Sequence, residues 1–308
     1  MGLNTVVIKK YIKSFLNTMP YIKGLYEEKL NYKKNACFAP GHFYSPIVNV
    51  DEVVNNESKI WEAITKDEIF EVNLNSQKQK EFVLEIEKFY DIIPFNNVKE
   101  DNLRYYFEND YFRYTDAIFL FGIINHLKPN KIIEIGSGYS SALMLDTNSL
   151  FFKNKIQLNF IEPYPERLNS LLSGFENNCK IIEKKVQEVA LDFFRELEKG
   201  DILFIDSSHV SKCGSDLNYL LFSVLPILNK GVFIHFHDIF FPFEYPKEWV
   251  IGGRNWNENY LIRAFLMNNK NYEICLFSHY LHIHHPDIFQ NMPLAKKDFG
   301  GSLWLEKK

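Results

Sequence analysis

The stretch Lys131-Ile-Ile-Glu134-Ile-Gly136-Ser137-Gly138-Tyr-Ser140-Ser141, followed by Ala-Leu-Met-Leu145, decides the fold of this chain. Ile132, Ile133 and Ile135 make a short apolar run, the pattern of a strand buried on both faces. Gly136 and Gly138 then make a tight turn, and Ser140-Ser141-Ala-Leu opens a helix. Strand, glycine turn and helix N-terminus together offer bare backbone N–H groups and the positive helix end to a ligand. A dinucleotide site asks for a third small residue, usually glycine, where the helix packs. Ser141 stands there instead, and an acid, Glu134, precedes the first glycine by two residues. A carboxylate at that point repels a pyrophosphate and suits a ligand carrying an ammonium or sulfonium group. The bland alternative is a glycine turn that simply closes a βα unit.

Outward from this stretch, Ile156-Gln-Leu-Asn-Phe-Ile161 reads as the next strand, with Glu162-Pro163 at its carboxyl end. An acid there, about twenty residues past the turn, is placed to accept both hydroxyls of an adenosine ribose, in NAD sites as in others. Two later runs, Asp201-Ile-Leu-Phe-Ile-Asp206-Ser-Ser-His209 and Gly231-Val-Phe-Ile-His235-Phe-His237-Asp238, are apolar and end in ionisable residues. Because strand carboxyl ends line the crevice of an open parallel sheet, Asp206, His209, His237 and Asp238 should converge beside the glycine turn. The cluster has two readings. It suits a divalent ion bound through oxygen and imidazole. It equally suits a general base, since a histidine near its unperturbed pKa removes a hydroxyl proton at neutral pH. His235 lies deeper in its apolar run and reads as a core histidine.

Helical spacing over 60–64 and 79–90, broken by Gly41-His42-Phe43-Tyr44-Ser45-Pro46 and by Pro94, makes residues 1–100 an N-terminal helical cap rather than an independent domain. Residues 101–308 form the core: a helix over 111–126, alternating strands and helices through Asp238, a helix over 257–267, and two last strands over 272–284 and 302–305. The alternation predicts an α/β fold with a doubly wound, mostly parallel sheet. Near the start, Val7, Tyr11, Phe15 and Met19 recur at helical spacing among Lys9, Lys10, Lys13 and Lys23. That pattern fits a helix docked on the core or on a second subunit, and also one lying peripherally on a membrane.

The 308 residues are 46% hydrophobic, enough for one sizeable core plus an appendage. A net charge of -4 without any long basic stripe argues against a nucleic-acid partner. Cys37, Cys179, Cys213 and Cys275 have no CxxC spacing, which favours free thiols over disulfides or a structural zinc. With no apolar stretch long enough for a membrane span and no signal-like segment, a cytoplasmic enzyme, monomeric or a homo-oligomer, is expected.

Glu-Ile-Gly-Ser-Gly-Tyr-Ser-Ser, Ile-Glu-Pro, Phe-Ile-Asp-Ser-Ser-His and His-Asp-Ile-Phe, in this order and spacing, resemble class I S-adenosylmethionine-dependent methyltransferases. The nearest likeness is to a branch found in bacterial surface-sugar and natural-product gene clusters. It extends from about residue 35 to the C-terminus through Gly41–Pro46, Phe241–Pro246 and the run Gly300-Gly-Ser-Leu-Trp304. The resemblance implies a Rossmann-like sheet of seven strands with the last antiparallel, and S-adenosylmethionine as cofactor. It assigns Glu134, Gly136 and Gly138, with Ser137 and Ser140 of the same turn, to the methionine moiety. Glu162 falls to the ribose, Val186-Gln187 after the third strand flank the adenine, and Asp206 also counts among the cofactor-binding residues. A looser likeness to catechol-type O-methyltransferases places a divalent metal, magnesium or manganese, on Asp206, His237 and Asp238. A histidine there in place of an oxygen ligand weighs against magnesium and leaves manganese, iron or no metal open. The function implied is methyl transfer to a hydroxyl of a sugar, glycan precursor or small natural product, with His209 or His237 as base and Asp206 assisting. His42 and Tyr44 would close over the acceptor or anchor the cap, and Phe241–Pro246, Trp249, Arg254 and Trp256 would wall it. The competing readings are a nicotinamide-dependent oxidoreductase and a non-catalytic cofactor-binding subunit.

Overall fold

The computed structural model describes residues 2–16 and 19–308. The chain divides into two compact units, residues 1–57 and 58–308. The first contains the helices Gly2–Leu16 and Pro20–Asn35. Pro20 starts the second of these, where its missing N–H costs nothing. The helical spacing of Val7, Tyr11, Phe15 and Met19 is therefore split between two helices, and the Lys13 side chain lies outside the described residues. Within this unit Phe38, His42, Phe43 and Tyr44 form one aromatic group, with the Phe38 and His42 rings stacked at 4.9 Å.

The second unit is built on seven strands: β1 (Lys131–Ile135), β2 (Gln157–Ile161), β3 (Cys179–Ile182), β4 (Ile202–Ile205), β5 (Phe233–Phe236), β6 (Tyr272–Phe277) and β7 (Leu303–Lys307). They lie in the order β3-β2-β1-β4-β5-β7-β6. β1 to β5 are mutually parallel, and β7 runs antiparallel between β5 and β6. This is the doubly wound sheet expected, with its last strand reversed. The central strands read as continuous apolar runs because helices cover both faces, and Ile132, Ile133, Leu203, Phe204 and Ile234 are all inaccessible. The helix Tyr114–Leu127 precedes β1 and is apolar nearly all round, as a helix buried on most sides must be. The helix Ser76–Glu87 crosses it at Gly122, where an added Cβ would lie 2.1 Å from Ile86 Cγ2.

Two elements differ from expectation. Residues 278–284 continue not as strand but as the helix Ser278–His284. Tyr280, His282 and His284 alternate with Leu281 and Ile283, and over seven residues such a pattern fits period 2 and period 3.6 alike. The helical run from Asp216 contains a π-turn over Leu220–Val224, just ahead of Pro226, which can donate no backbone hydrogen bond.

Register places the site. Ile161, Ile135, Ile205 and Phe236 are the last paired residues of β2, β1, β4 and β5, and they stand abreast. Gly136 N–H donates to Ile161 O, Asp206 N–H to Ile135 O, and His237 N–H to Ile205 O. Glu162, Gly136, Asp206 and His237 therefore emerge side by side at the carboxyl edge of the sheet, where the chain reverses its winding direction.

Candidate active site

Above that edge lies a cleft of about 400 Å³. Of the residues expected to bind or react, Gly136, Ser137, Gly138, Ser140, Glu162, Asp206, His209, His237 and Asp238 line it. Glu134 and Gln187 do not. Glu134 is wholly buried beneath the glycine turn, taken up by the hydroxyls of Ser140 and Ser141. Gln187 instead donates its amide to Gly214 O.

The glycine-turn half of the cleft is backbone and one acid. Gly136 has φ +78°, and a Cβ there would lie 1.7 Å from Asp206 O, so only glycine lets β1 and β4 end this close together. A Cβ on Gly138 would meet nothing nearer than Arg167 Cδ at 3.7 Å, so bareness at this position leaves space for a ligand. Glu162 accepts from Ser137 N–H at 3.1 Å and Tyr164 N–H at 2.8 Å, which holds its carboxylate at the rim with lone pairs to spare. A bare turn and an anchored carboxylate fit an adenosine-type ligand.

The other half is a charge cluster. His209 Nε2 lies 3.3 Å from Asp206 Oδ1 and 3.8 Å from Asp238 Oδ2, while its Nδ1 lies 2.8 Å from Glu258 Oε2. His237 Nε2 is 3.8 Å from Asp238 Oδ1. Burial penalises the His209 cation, yet the hydrogen bonds to Asp206 and Glu258 outweigh it and hold its pKa well above the usual value. Burial likewise opposes charge on His237, but Asp238, Asp206 and Asp116 raise its pKa. For Asp206 the burial penalty is overcome by His237 and His209, and its carboxyl titrates below the usual range. His209 and Asp238 both adopt left-handed backbone, φ 58° and 56°, a conformation that non-glycine residues adopt mainly where their surroundings enforce it.

These residues do not fit the expected metal. The His209 imidazole already stands between the carboxylates of Asp206 and Asp238, its Nε2 3.3 Å and 3.8 Å from their oxygens. Among the described residues no group of three or more His, Cys, Asp or Glu is arranged to hold a metal ion. His235 is the core histidine expected: inaccessible, stacked on Phe204 at 3.8 Å, and driven well below the usual histidine pKa by burial and by His237.

The acceptor wall is only partly the one expected. Trp256 lines the cleft and packs on His209, ring centroids 4.3 Å apart. Trp249 and Arg254 stand next to it, the guanidinium 4.0 Å from the Trp249 ring centroid. Phe241, Phe243 and Tyr245 point into the core instead. Six cleft residues were not foreseen as site residues: Tyr111, Phe112, Tyr139, Ser207, Ser208 and Arg167, the last with its guanidinium 4.1 Å from the Tyr111 ring centroid. Nor was Glu258, behind His209. Its only signal was an acid at the start of a helix, a placement common to helices generally.

Comparison with known proteins bears on this arrangement. Residues 133–239 match a family model described as a methyltransferase domain. An uncharacterised protein of Archaeoglobus fulgidus is 38% identical over 177 residues, 57% of this chain and 80% of its own length. Among solved structures, the S-adenosylhomocysteine-bound Podospora anserina methyltransferase PaMTH1 is similar with a TM-score of 0.40 and 15% identity, over 84% of this chain and 96% of that one. A DUF574 family protein of Streptomyces avermitilis has a TM-score of 0.37 and 10% identity, over 84% and 90% of the two chains. The chain belongs to one family with the Archaeoglobus protein, and its residues 133–239, which carry β1 to β5 and the cleft's strand-end residues, match the methyltransferase-domain model.

Proposed function

We propose that this protein transfers a methyl group from S-adenosylmethionine to a hydroxyl of a small-molecule acceptor, a sugar or glycan precursor fitting best. One observation carries the reading. A bare glycine turn with an anchored ribose-type carboxylate, Glu162, shares a single cleft with the histidine–carboxylate cluster of Asp206, His209 and Asp238. When bound, S-adenosylmethionine supplies a sulfonium methyl, whose S–C bond breaks as the O–C bond forms, sulfur keeping the electron pair.

The chain's own residues position and deprotonate. Glu162 accepts the two ribose hydroxyls, and the amides of the glycine turn and the helix Tyr139–Phe152 face the methionine end. Asp206, ionised at neutral pH, lies beside His209 Nε2 and stabilises the imidazolium that forms there when the ring takes the proton. His209 takes the hydroxyl proton at Nε2 in its neutral form, which its raised pKa makes the minor form at neutral pH and which alkaline pH favours. His209 suits this role better than His237, because its ring is held from Nδ1 by Glu258 whereas His237 Nδ1 has no partner. Tyr111, Phe112 and Trp256 give the acceptor aromatic faces, which suit the apolar faces of sugar rings. A cytoplasmic location also belongs to the proposal, and no helix among the described residues is long and apolar enough to cross a membrane.

Calorimetry tests the reading. S-adenosylmethionine or its demethylated product should bind in the micromolar range, about 8 kcal/mol, and NAD much more weakly. Glu162→Ala should cost about 1 to 3 kcal/mol of that binding, the loss of a charged acceptor. NAD binding as tightly would replace the proposal with a nicotinamide-dependent oxidoreductase.

A further inference from the structure

Residues 256–259, Trp-Asn-Glu-Asn, are consecutive, yet they reach both strand-end loops of the cleft. Trp256 packs on the His209 ring. Asn257 Oδ1 accepts from Ser211 N–H at 2.6 Å, and its amide donates to Ser211 O at 3.2 Å. The N–H groups of Asn257 and Glu258 both donate to the backbone carbonyl of His209, each at 3.2 Å. Asn259 donates to Asp238 O at 3.1 Å and accepts from Phe240 N–H at 2.9 Å. One short segment thus holds the two left-handed residues, His209 and Asp238, from behind.

Glu258 is the member that touches the reactive ring. It is 1% exposed, and its Oε2 lies 2.8 Å from His209 Nδ1. It is also the first residue of the helix Glu258–Leu266, where the positive helix end favours a carboxylate. Its other oxygen, Oε1, is buried with no partner, so among the described residues the imidazole is the one side chain Glu258 hydrogen-bonds. A carboxylate accepts from Nδ1–H, and that bond leaves Nε2 as the site that gains and loses the second proton. Nε2 is the nitrogen turned toward Asp206 and Asp238, on the cleft side.

We infer that Glu258 is the positioning residue of the methyl-transfer site, fixing the Nδ1–H tautomer of His209 so that Nε2 faces the acceptor hydroxyl as the proton acceptor. This rests on the base role proposed for His209. Glu258 touches no substrate and acts only through the ring. A glutamine is the informative replacement, because its amide donates to Nδ1 and drives the proton onto Nε2, the wrong nitrogen for a base.

The test uses the full-length protein with ¹⁵N-histidine, without cofactor, and long-range ¹H–¹⁵N NMR. The chain has nine histidines, and His209→Gln identifies the His209 signals by their loss. In the wild type, neutral His209 should show a protonated Nδ1 and a bare Nε2, and Glu258→Gln should exchange the two. A bare Nδ1 in the wild type overturns the inference, and that measurement stands whether or not the variant folds. An unchanged pattern in a folded Glu258→Gln, checked by its thermal melt, overturns it as well. Once an acceptor turns over, Glu258→Gln should lower kcat roughly 100-fold or more with KM and cofactor affinity unchanged. A KM effect alone would make Glu258 a structural residue. The tautomer is read without cofactor, so failure of S-adenosylmethionine to bind would sink the proposed function and leave the Glu258–His209 assignment to be decided by its own spectrum.

Discussion

Glu134 sits beneath the glycine turn, where burial pushes its carboxyl up to about 8, against the Ser140 and Ser141 hydroxyls that favour its charged form. An acid whose value in the folded protein lies above the unfolded 4.5 holds its proton more tightly when native. Its contribution to stability is full below 4.5 and is lost as pH rises through about 8. Glu134→Gln keeps the shape of the neutral acid and removes the titration. Thermal melts across that window should therefore show the variant losing less stability than the wild type, by about 2 to 5 kcal/mol between the ends. Parallel curves would mean that Glu134 is already ionised in the fold. The residue's importance was legible from its place before Gly136, but its mode of action was not. A charge facing the ligand was expected, whereas the side chain turns under the helix and organises its first turn through two serines. Side-chain direction at the end of a doubly buried strand depends on which face the next helix covers, and no local spacing encodes that.

At the scale of elements, the strands were legible because central parallel strands must be apolar on both faces, and the site residues because each such run stops at an ionisable side chain. Asp206, His237 and Glu162 are one residue past their last ladder pairs, and the register alone brings them together. Glu258 was not legible as a partner of His209, since 49 residues separate them and only the packing of a helix across the cleft unites them. The two glycines of the turn separate architecture from binding. Gly136→Ala puts a Cβ 1.7 Å from Asp206 O at φ +78°, so the variant should lose stability by at least about 1 to 3 kcal/mol and bind cofactor poorly. Gly138→Ala meets only Arg167 Cδ at 3.7 Å and has extended backbone, φ -176°. It should cost less than about 1 kcal/mol of stability, as alanine for glycine at a helix start, while still intruding on the ligand's space. Urea unfolding and calorimetry on the two variants read the difference. Equal stability loss in both would show that the close approach of β1 and β4 is not what Gly136 serves.

For the whole molecule, the cleft belongs to the unit of residues 58–308, and a ligand there stabilises that unit in proportion to its occupancy. The glycine turn, Glu162 and the Asp206 loop come from β1, β2 and β4, three strands that are neighbours in space but separated in sequence. A ligand spanning them ties together contacts that unfolding must break at once, so it opposes global rather than local opening. At a concentration 100 times its dissociation constant, the gain is about 2.7 kcal/mol. For a unit of this size each kcal/mol moves the melting temperature by about 2 to 4 °C, which predicts a rise of roughly 5 to 10 °C in calorimetry. S-adenosylmethionine and its demethylated product should both produce it, NAD at the same concentration should not, and Glu162→Ala should shrink it by the binding energy it loses. A rise with S-adenosylmethionine that Glu162→Ala leaves intact would place the ligand elsewhere on the molecule, and the ribose role of the second strand's acid would fall with it.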